Sequence, residues 1–198
     1  IQFIINPPVS ALNLWISNTL SSMNATSGVI LGAIVGGMMS IDMGGPFNKA
    51  AYVFGTASLI NAAGDPVSSG VMAAVMIGGM VPPLAVALCT TFFKNRFTAK
   101  ERQTTVTNYI MGFSFITEGV IPFAAADPLR VIPSCVVGSA VAGALSMLFG
   151  CTLPAPHGGI FVFAVVQNWP MYLVSLLIGS VISMVLLALL KKPIKEDQ

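Results

Sequence analysis

Three charged side chains, Glu118, Asp127 and Arg130, lie within a long apolar part of this 198-residue chain. From residue 103 to residue 190 there is no other Asp, Glu, Lys or Arg. Charge among apolar residues is costly in a membrane, and such residues mark a substrate or ion pathway by default. The stretch therefore predicts a pathway, and Glu118 is its main candidate because no basic residue is close to it in sequence.

Asp127 and Arg130 allow a second interpretation, since a salt bridge between them could simply hold a loop in place. Prolines at 122, 128 and 133 predict that no regular helix runs through the stretch. Broken backbone with charge is tolerated in a membrane only where protein buries it or water fills a cavity beside it.

The only histidine, His157, follows Pro156 and precedes two glycines, in a gap between apolar runs. A lone histidine is usually structural, but this setting favours a function. The polar turn 42–48, DMGGPFN, is a second candidate for the wall of a site. A capped surface loop explains that turn equally well.

The composition predicts an all-α integral membrane protein. Hydrophobic residues make up 55% of the chain and charged residues 8%, whereas soluble domains carry about 25% charged residues. The net charge of +2, without a long basic run, gives no indication of nucleic-acid binding. The sequence contains no metal-ligand cluster and no phosphate-binding loop, so it predicts neither a metal nor a cofactor. The three cysteines (Cys89, Cys135 and Cys151) are interpreted as buried thiols.

The apolar runs predict the transmembrane arrangement. The runs long enough to cross are 67–93, 128–150 and 171–190. Residues 104–117 are too short and predict a re-entrant half-helix that ends at Glu118. Residues 8–23 predict an interfacial or protein-packed helix, and 28–41 a short apolar one.

Two basic segments, 94–102 and 191–198, are predicted to face the cytoplasm. Residues 103–190 would then cross the membrane twice, as the substrate hairpin and closing helices. The rest of the chain is predicted to form two parts. Residues 1–66 would contain short helices and the DMGGP loop, and residues 67–93 would form a transmembrane segment. Glycines repeat every four residues on the 28–41 helix (Gly28, Gly32 and Gly36), a spacing that predicts close approach of another helix. Plain helix packing explains the repeat, and the same face is also the best candidate in this chain for a homodimer contact.

Three stretches carry a family resemblance: GMMSIDMGGPFNKAAYVFG at 37–55, ITEGVIPFAAADPLRVIPS at 116–134 and GALSMLFGCTLPAPHGGIFV at 143–162. Together they resemble the fructose-type enzyme IIC, the membrane component of the bacterial phosphoenolpyruvate-dependent sugar phosphotransferase system. The resemblance runs from about residue 27 to 190 and corresponds to the later half of a IIC domain.

The resemblance implies an elevator-like homodimeric permease, multi-pass in the lipid of the bacterial cytoplasmic (inner) membrane. It implies group translocation of a hexose, with fructose the first expectation, to a cytoplasmic IIB domain that bears a phosphocysteine. IIA and HPr would supply the phosphoryl group upstream, and no cysteine of this chain lies in a IIB-like segment.

The resemblance also implies roles for individual residues. Glu118 and His157 would contact the sugar and either could take its proton. Further sugar-binding residues would be Thr117, Asp42, Asn48 and Gly158. Asp127 and Arg130 would brace the hairpin. The sequence departs from the family pattern at Phe115, where a glycine is expected, and at Ser40 and Phe47.

Two alternatives remain open at this level. An ion-coupled secondary sugar transporter would also have broken helices with charged tips, but no group transfer. Because the chain begins with Ile1 rather than Met, it could also be a fragment that forms a membrane module without transport activity of its own.

Overall fold

The computed structural model describes residues 28–61 and 63–194. The helix predicted over 8–23 lies outside the described residues. The α-helices are α1 Gly28–Met38, α2 Pro46–Ala57, α3 Gly70–Phe92, α4 Ala99–Gln103, α5 Thr105–Phe113, α6 Ile121–Ala126, α7 Pro128–Leu148 and α8 Trp169–Leu190. Short 3-10 helices form at Lys94–Arg96, Thr117–Val120 and Gly159–Val165.

The predicted all-α membrane fold is confirmed. Three of the described helices, α3, α7 and α8, are long and apolar enough to cross a membrane. The last of these begins at Trp169, two residues before the predicted run 171–190, with Pro170 in its first turn. Proline is well suited to the first turn, where its missing N–H has no helical acceptor.

Helix α3 is the centre of the fold. In its most apolar 18-residue window, 89% of residues are buried, against 44% in α7 and 39% in α8. It packs against α1, α5, α7 and α8. The outer faces of α7 and α8 are left to lipid or to further protein.

Helix α3 continues through Pro82 and Pro83. A proline at position 82 removes the N–H that would bond to the carbonyl of Gly78, four residues earlier. The hydroxyl of Ser139 on α7 donates to that carbonyl at 2.8 Å. Ser139 is also 2.5 Å from the Ser40 hydroxyl, so a buried serine pair satisfies the backbone that the proline left unpaired.

Small residues let α1, α3 and α7 approach closely. A Cβ at Gly32 would lie 2.5 Å from the Gly143 carbonyl oxygen, and one at Gly36 would lie 2.6 Å from the Ser139 carbonyl oxygen. The predicted close helix contact is therefore confirmed. Its assignment to a homodimer is wrong, because α7 of the same chain occupies this face of α1.

No regular helix runs through the charged stretch, as predicted, and Pro122 and Pro128 each lie at the start of a helix. Pro133 causes no break, because helix α7 continues through it from Pro128 to Leu148. The helical bond lost at Pro133 is the one to Leu129, a residue that is 85% exposed. The loss is therefore confined to the outer surface of the first turns.

The two basic segments meet at one end of the molecule. The Lys191 ammonium lies 3.3 Å from the Glu101 carboxylate, and its positive charge lies 4.3 Å from the centre of the Phe97 ring. The Ile194 amide donates to the Asn95 carbonyl at 2.8 Å, and the Arg96 guanidinium donates to the Lys191 carbonyl. Residues 103–190 thus leave and return to the same end.

Candidate functional site

Glu118 lies in a tight turn between two short helices. Helix α5 has nine residues, too few to cross a membrane, and ends at Phe113. Phe115 then adopts φ 61°, a left-handed conformation that is uncommon for a bulky residue. The chain re-enters helical geometry at Thr117–Val120, where Thr117 is buried and the Glu118 side chain is exposed.

The 42–45 loop passes directly beside Glu118. Gly44 has φ 112°, and a Cβ there would lie 2.9 Å from Oε1 of Glu118. Gly45 makes room for another carboxylate, since a Cβ there would lie 2.5 Å from Oδ2 of Asp42. The two glycines of the DMGGP sequence therefore each accommodate one acidic side chain.

Asp42 caps α2. Its Oδ2 accepts from the Phe47 amide at 2.7 Å and its Oδ1 accepts from the Asn48 amide at 3.0 Å. These are amides of the first helical turn, which have no acceptor within the helix. Both carboxylate oxygens are thus engaged by backbone, as the capped-loop interpretation expects.

Asn48 joins this loop to the Glu118 turn. Its side chain is 8% exposed, and its Nδ2 donates to the Met39 carbonyl at 2.8 Å. The same nitrogen lies 3.5 Å from the Thr117 hydroxyl. Helix α2 and the Glu118 turn are therefore connected through a buried amide.

His157 comes from a third loop and faces the Glu118 turn from the other side. Its ring centroid is 5.0 Å from that of Phe115. Gly159 has φ 55°, and a Cβ there would collide with the Phe113 carbonyl oxygen. Glycine at 159 thus lets the histidine loop lie against the end of α5.

One cavity of about 430 Å³ lies between α2, the Glu118 turn and the His157 loop, and its volume is within the size range of small-molecule sites. It is lined by Met39, Asn48, Tyr52, Phe115, Ile116, Thr117, Glu118 and His157. Among the described residues, the Glu118 carboxylate has no hydrogen-bond or ion-pair partner. An unpaired acceptor at the wall of a cavity is available to a ligand.

The structure brings together four of the residues predicted to bind sugar: Glu118, His157, Thr117 and Asn48. Asp42 and Gly158 do not line this cavity. Gly158 is next to His157 and has φ 134°, so its part is in the shape of the loop. The roles of all six as sugar ligands stay predictions.

Asp127 and Arg130 lie elsewhere, at the start of α7. Their side chains pair at 2.9 Å, with Arg130 42% exposed and Asp127 18% exposed. They line a second cavity, of about 860 Å³, together with Lys100, Lys191 and Lys192. This cavity separates the basic end of the molecule from α6.

Sequence reasoning missed three residues that line the cavity, Tyr52, Met39 and Ile116. It also missed Gly44, which lies beside Glu118 but does not line the cavity. Tyr52 had a signal, because it follows Asn48 by four residues on one helix and therefore shares its face. Gly44 had none before the neighbouring loop was located.

Within residues 28–61 and 63–194, no three His, Cys, Asp or Glu residues are grouped so as to hold a metal ion. The three cysteines are free and buried, as predicted. Burial raises the pKa of Cys151, in the loop after α7, above its usual value.

The family described as "Phosphotransferase system, EIIC" matches residues 1–138. The chain is 53% identical over 98% of its length to the PTS system fructose-specific EIIABC component of Bacillus subtilis, and covers 30% of that protein. It is 51% identical over 98% of its length to the fructose permease IIC component of Bacillus amyloliquefaciens, and covers 62% of it.

A more distant relative is the PTS system fructose-specific EIIB'BC component of Escherichia coli. It is 42% identical over 96% of this chain, and the chain covers 34% of its length. The chain thus spans between 30% and 62% of the length of these relatives. No solved structure matches it significantly. On the family match and these identities, the chain belongs to the EIIC family of phosphotransferase system membrane proteins.

Proposed function

We propose that this chain forms the sugar-binding part of a phosphotransferase permease that carries fructose into the cell. The observation that carries the proposal is the cavity at which Glu118, His157, Asn48 and Thr117 meet from three separate elements, namely α2, the Glu118 turn and the His157 loop. The relatives named fructose-specific support the choice of sugar, because they match almost the whole chain.

The side chains at the cavity suit a polyhydroxylated ligand. A carboxylate accepts two or more hydrogen bonds from hydroxyl groups, and such charge-assisted bonds are the stronger kind. His157 donates from one ring nitrogen and accepts at the other, which fits a hydroxyl that does both. A sugar lacking one of these hydroxyls would leave a polar group unpaired, so the site discriminates among hexoses.

Phosphoryl transfer requires the sugar hydroxyl to meet a phosphocysteine on the IIB partner. The oxygen–phosphorus bond forms as the sulfur–phosphorus bond breaks, and the cysteine leaves as thiolate. The hydroxyl proton passes to a base on this chain, and Glu118 and His157 are both placed to accept it. The phosphoryl donor lies outside this chain, and IIA and HPr would precede IIB in the relay.

We place the protein in the bacterial cytoplasmic membrane as a multi-pass, re-entrant permease. The short helix α5 and the turn at Glu118 support a hairpin that enters and leaves from one side. The meeting of the two basic segments supports a common cytoplasmic side for both. A homodimer would use a surface other than the glycine face of α1.

We place the IIB docking surface at the basic end. Lys100 and Lys192 border the cavity of about 860 Å³ that lies between this end and α6. Their positive charge complements the phosphate that a phosphocysteine carries.

Uptake by proteoliposomes containing the full-length permease tests the proposal. With phosphoenolpyruvate and the soluble phosphotransferase proteins, labelled D-fructose should accumulate inside as fructose phosphate, and uptake should persist when ion gradients are collapsed. Free fructose inside, dependent on an ion gradient, would identify an ion-coupled transporter instead.

A cysteine placed at Lys100 tests the orientation. We expect it to react with a membrane-impermeant maleimide only from the cytoplasmic side, and IIB to protect it. Labelling from outside would overturn both the orientation and the docking surface.

A further inference from the structure

Tyr52 has been given no role, although it lines the same cavity as Glu118 and His157. It follows Asn48 by one turn of α2, and residues four apart lie on one helix face. Asn48 is fixed by its bonds to Met39 and Thr117. The orientation of that face towards the cavity is therefore set, and Tyr52 is carried with it.

The Tyr52 hydroxyl differs from those of the other tyrosines. The chain has three tyrosines, and all are described. The Tyr109 hydroxyl bonds with Thr91 at 3.0 Å, and the Tyr172 hydroxyl donates to the Ala73 carbonyl at 3.0 Å. Tyr52 alone has no hydrogen-bond partner among the described residues. A partly buried phenol normally finds a partner, so this one is free for a ligand.

The Tyr52 ring belongs to a row of three. Its centroid is 6.2 Å from that of Phe115, at an interplanar angle of 36°, and Phe115 lies against His157. Phe115 is 6% exposed, and its ring occupies the space that a Cβ at Gly79 would take. Packing against α3 and the left-handed backbone thus hold this aromatic wall in place.

We propose that Tyr52 is a sugar-binding residue: its hydroxyl bonds with a hydroxyl of the hexose, and its ring packs against the sugar's C–H face. The inference rests on the proposed function, since it names a further ligand of the same site. It assigns to α2 a direct contact with the sugar at Tyr52, one turn beyond Asn48.

Calorimetric titration of the full-length permease with D-fructose tests the contact. Tyr52→Phe removes only the hydroxyl and should weaken binding by about threefold to tenfold, the range for one neutral hydrogen bond. Tyr52→Leu also removes the ring and should weaken binding further. Tyr109→Phe is the matched control, because it removes a tyrosine hydroxyl outside the cavity and should leave the affinity unchanged.

Monodeoxy fructose analogues identify the sugar hydroxyl. For the analogue that lacks it, wild type and Tyr52→Phe should bind equally, while the other analogues should keep the difference. Tight fructose binding that Tyr52→Phe leaves unchanged would overturn the hydroxyl contact and leave the proposed function intact. A wild-type permease that binds neither fructose nor its analogues would overturn both.

Discussion

Glycines have different roles in two regions of the molecule, the helix crossing and the candidate site. Where α1, α3 and α7 cross, Gly32, Gly36 and Gly78 bring helix backbones together, and a Cβ at Gly78 would lie 2.5 Å from the Cα of Gly36. At the candidate site, Gly44 and Gly159 have positive φ and make room for Glu118 and for the end of α5.

The difference separates stability from function. A methyl group at the crossing would push apart backbones that cannot move independently, so the whole helix packing would be affected. A methyl group at Gly44 would meet an exposed side chain in a loop. Damage at the crossing should therefore appear as lost folding, and damage at the loops as lost binding.

The largest effect is expected at the crossing. Gly36→Ala should lower the free energy of unfolding by about 2–3 kcal/mol, because its Cβ would lie 2.6 Å from the Ser139 carbonyl oxygen. Gly37→Ala is the matched control on the same helix, since its Cβ would lie 3.5 Å from the Ala140 side chain, an ordinary contact. Thermal melting of the purified permease should separate them, and equal melting temperatures would show that the close approach is not tight.

Gly44→Ala should show the opposite balance. Its stability loss, about 1–2 kcal/mol from the backbone conformation, should be shared by Gly64→Ala, which has φ 89° and no atom near the new methyl group. Only Gly44→Ala should weaken fructose binding, because its methyl group would displace the Glu118 carboxylate. Equal fructose affinities for the two variants would mean either that Glu118 does not contact the sugar or that its side chain can shift away from the new methyl group at no cost to binding.

Asp42→Asn should have the smallest effect and decides between the two interpretations of Asp42. Asparagine keeps an acceptor oxygen for one of the two amides but turns an NH2 group towards the other. Stability should therefore fall by about 0.5–1.5 kcal/mol, from one lost hydrogen bond and the lost charge at the helix start. Fructose affinity should stay nearly unchanged if Asp42 only caps α2. A tenfold weaker affinity at normal stability would make Asp42 a sugar ligand, as the resemblance implied.

The sequence predicted the long helices well, because run length and apolarity are enough to define a span. It identified the glycine face of α1 but not what covers it, since spacing fixes a face and leaves its partner open. It predicted that prolines interrupt the charged stretch, and Pro122 and Pro128 do so, whereas α7 continues through Pro133 because one lost bond on an exposed turn is tolerated within an otherwise packed helix.

At the site, the sequence singled out Glu118 and His157 because charged and titratable groups are rare in apolar segments. It did not single out Tyr52, since an aromatic residue in an apolar helix is ordinary. The missing information was the location of the Glu118 turn beside α2, which depends on contacts between residues about 70 positions apart in the chain, such as Asn48 with Thr117.

The central assignment is that of Glu118 as the ligand of the sugar. Glu118→Gln keeps the shape of the side chain and removes its charge, and a charge-assisted hydrogen bond contributes roughly 1.5–3 kcal/mol. Equilibrium binding of D-fructose to the full-length permease should therefore weaken about tenfold to a hundredfold, with normal expression. Asp127→Asn, whose pair with Arg130 lies outside this cavity, should reduce membrane yield more than affinity. Wild-type affinity in Glu118→Gln would contradict the assignment of this cavity as the sugar site.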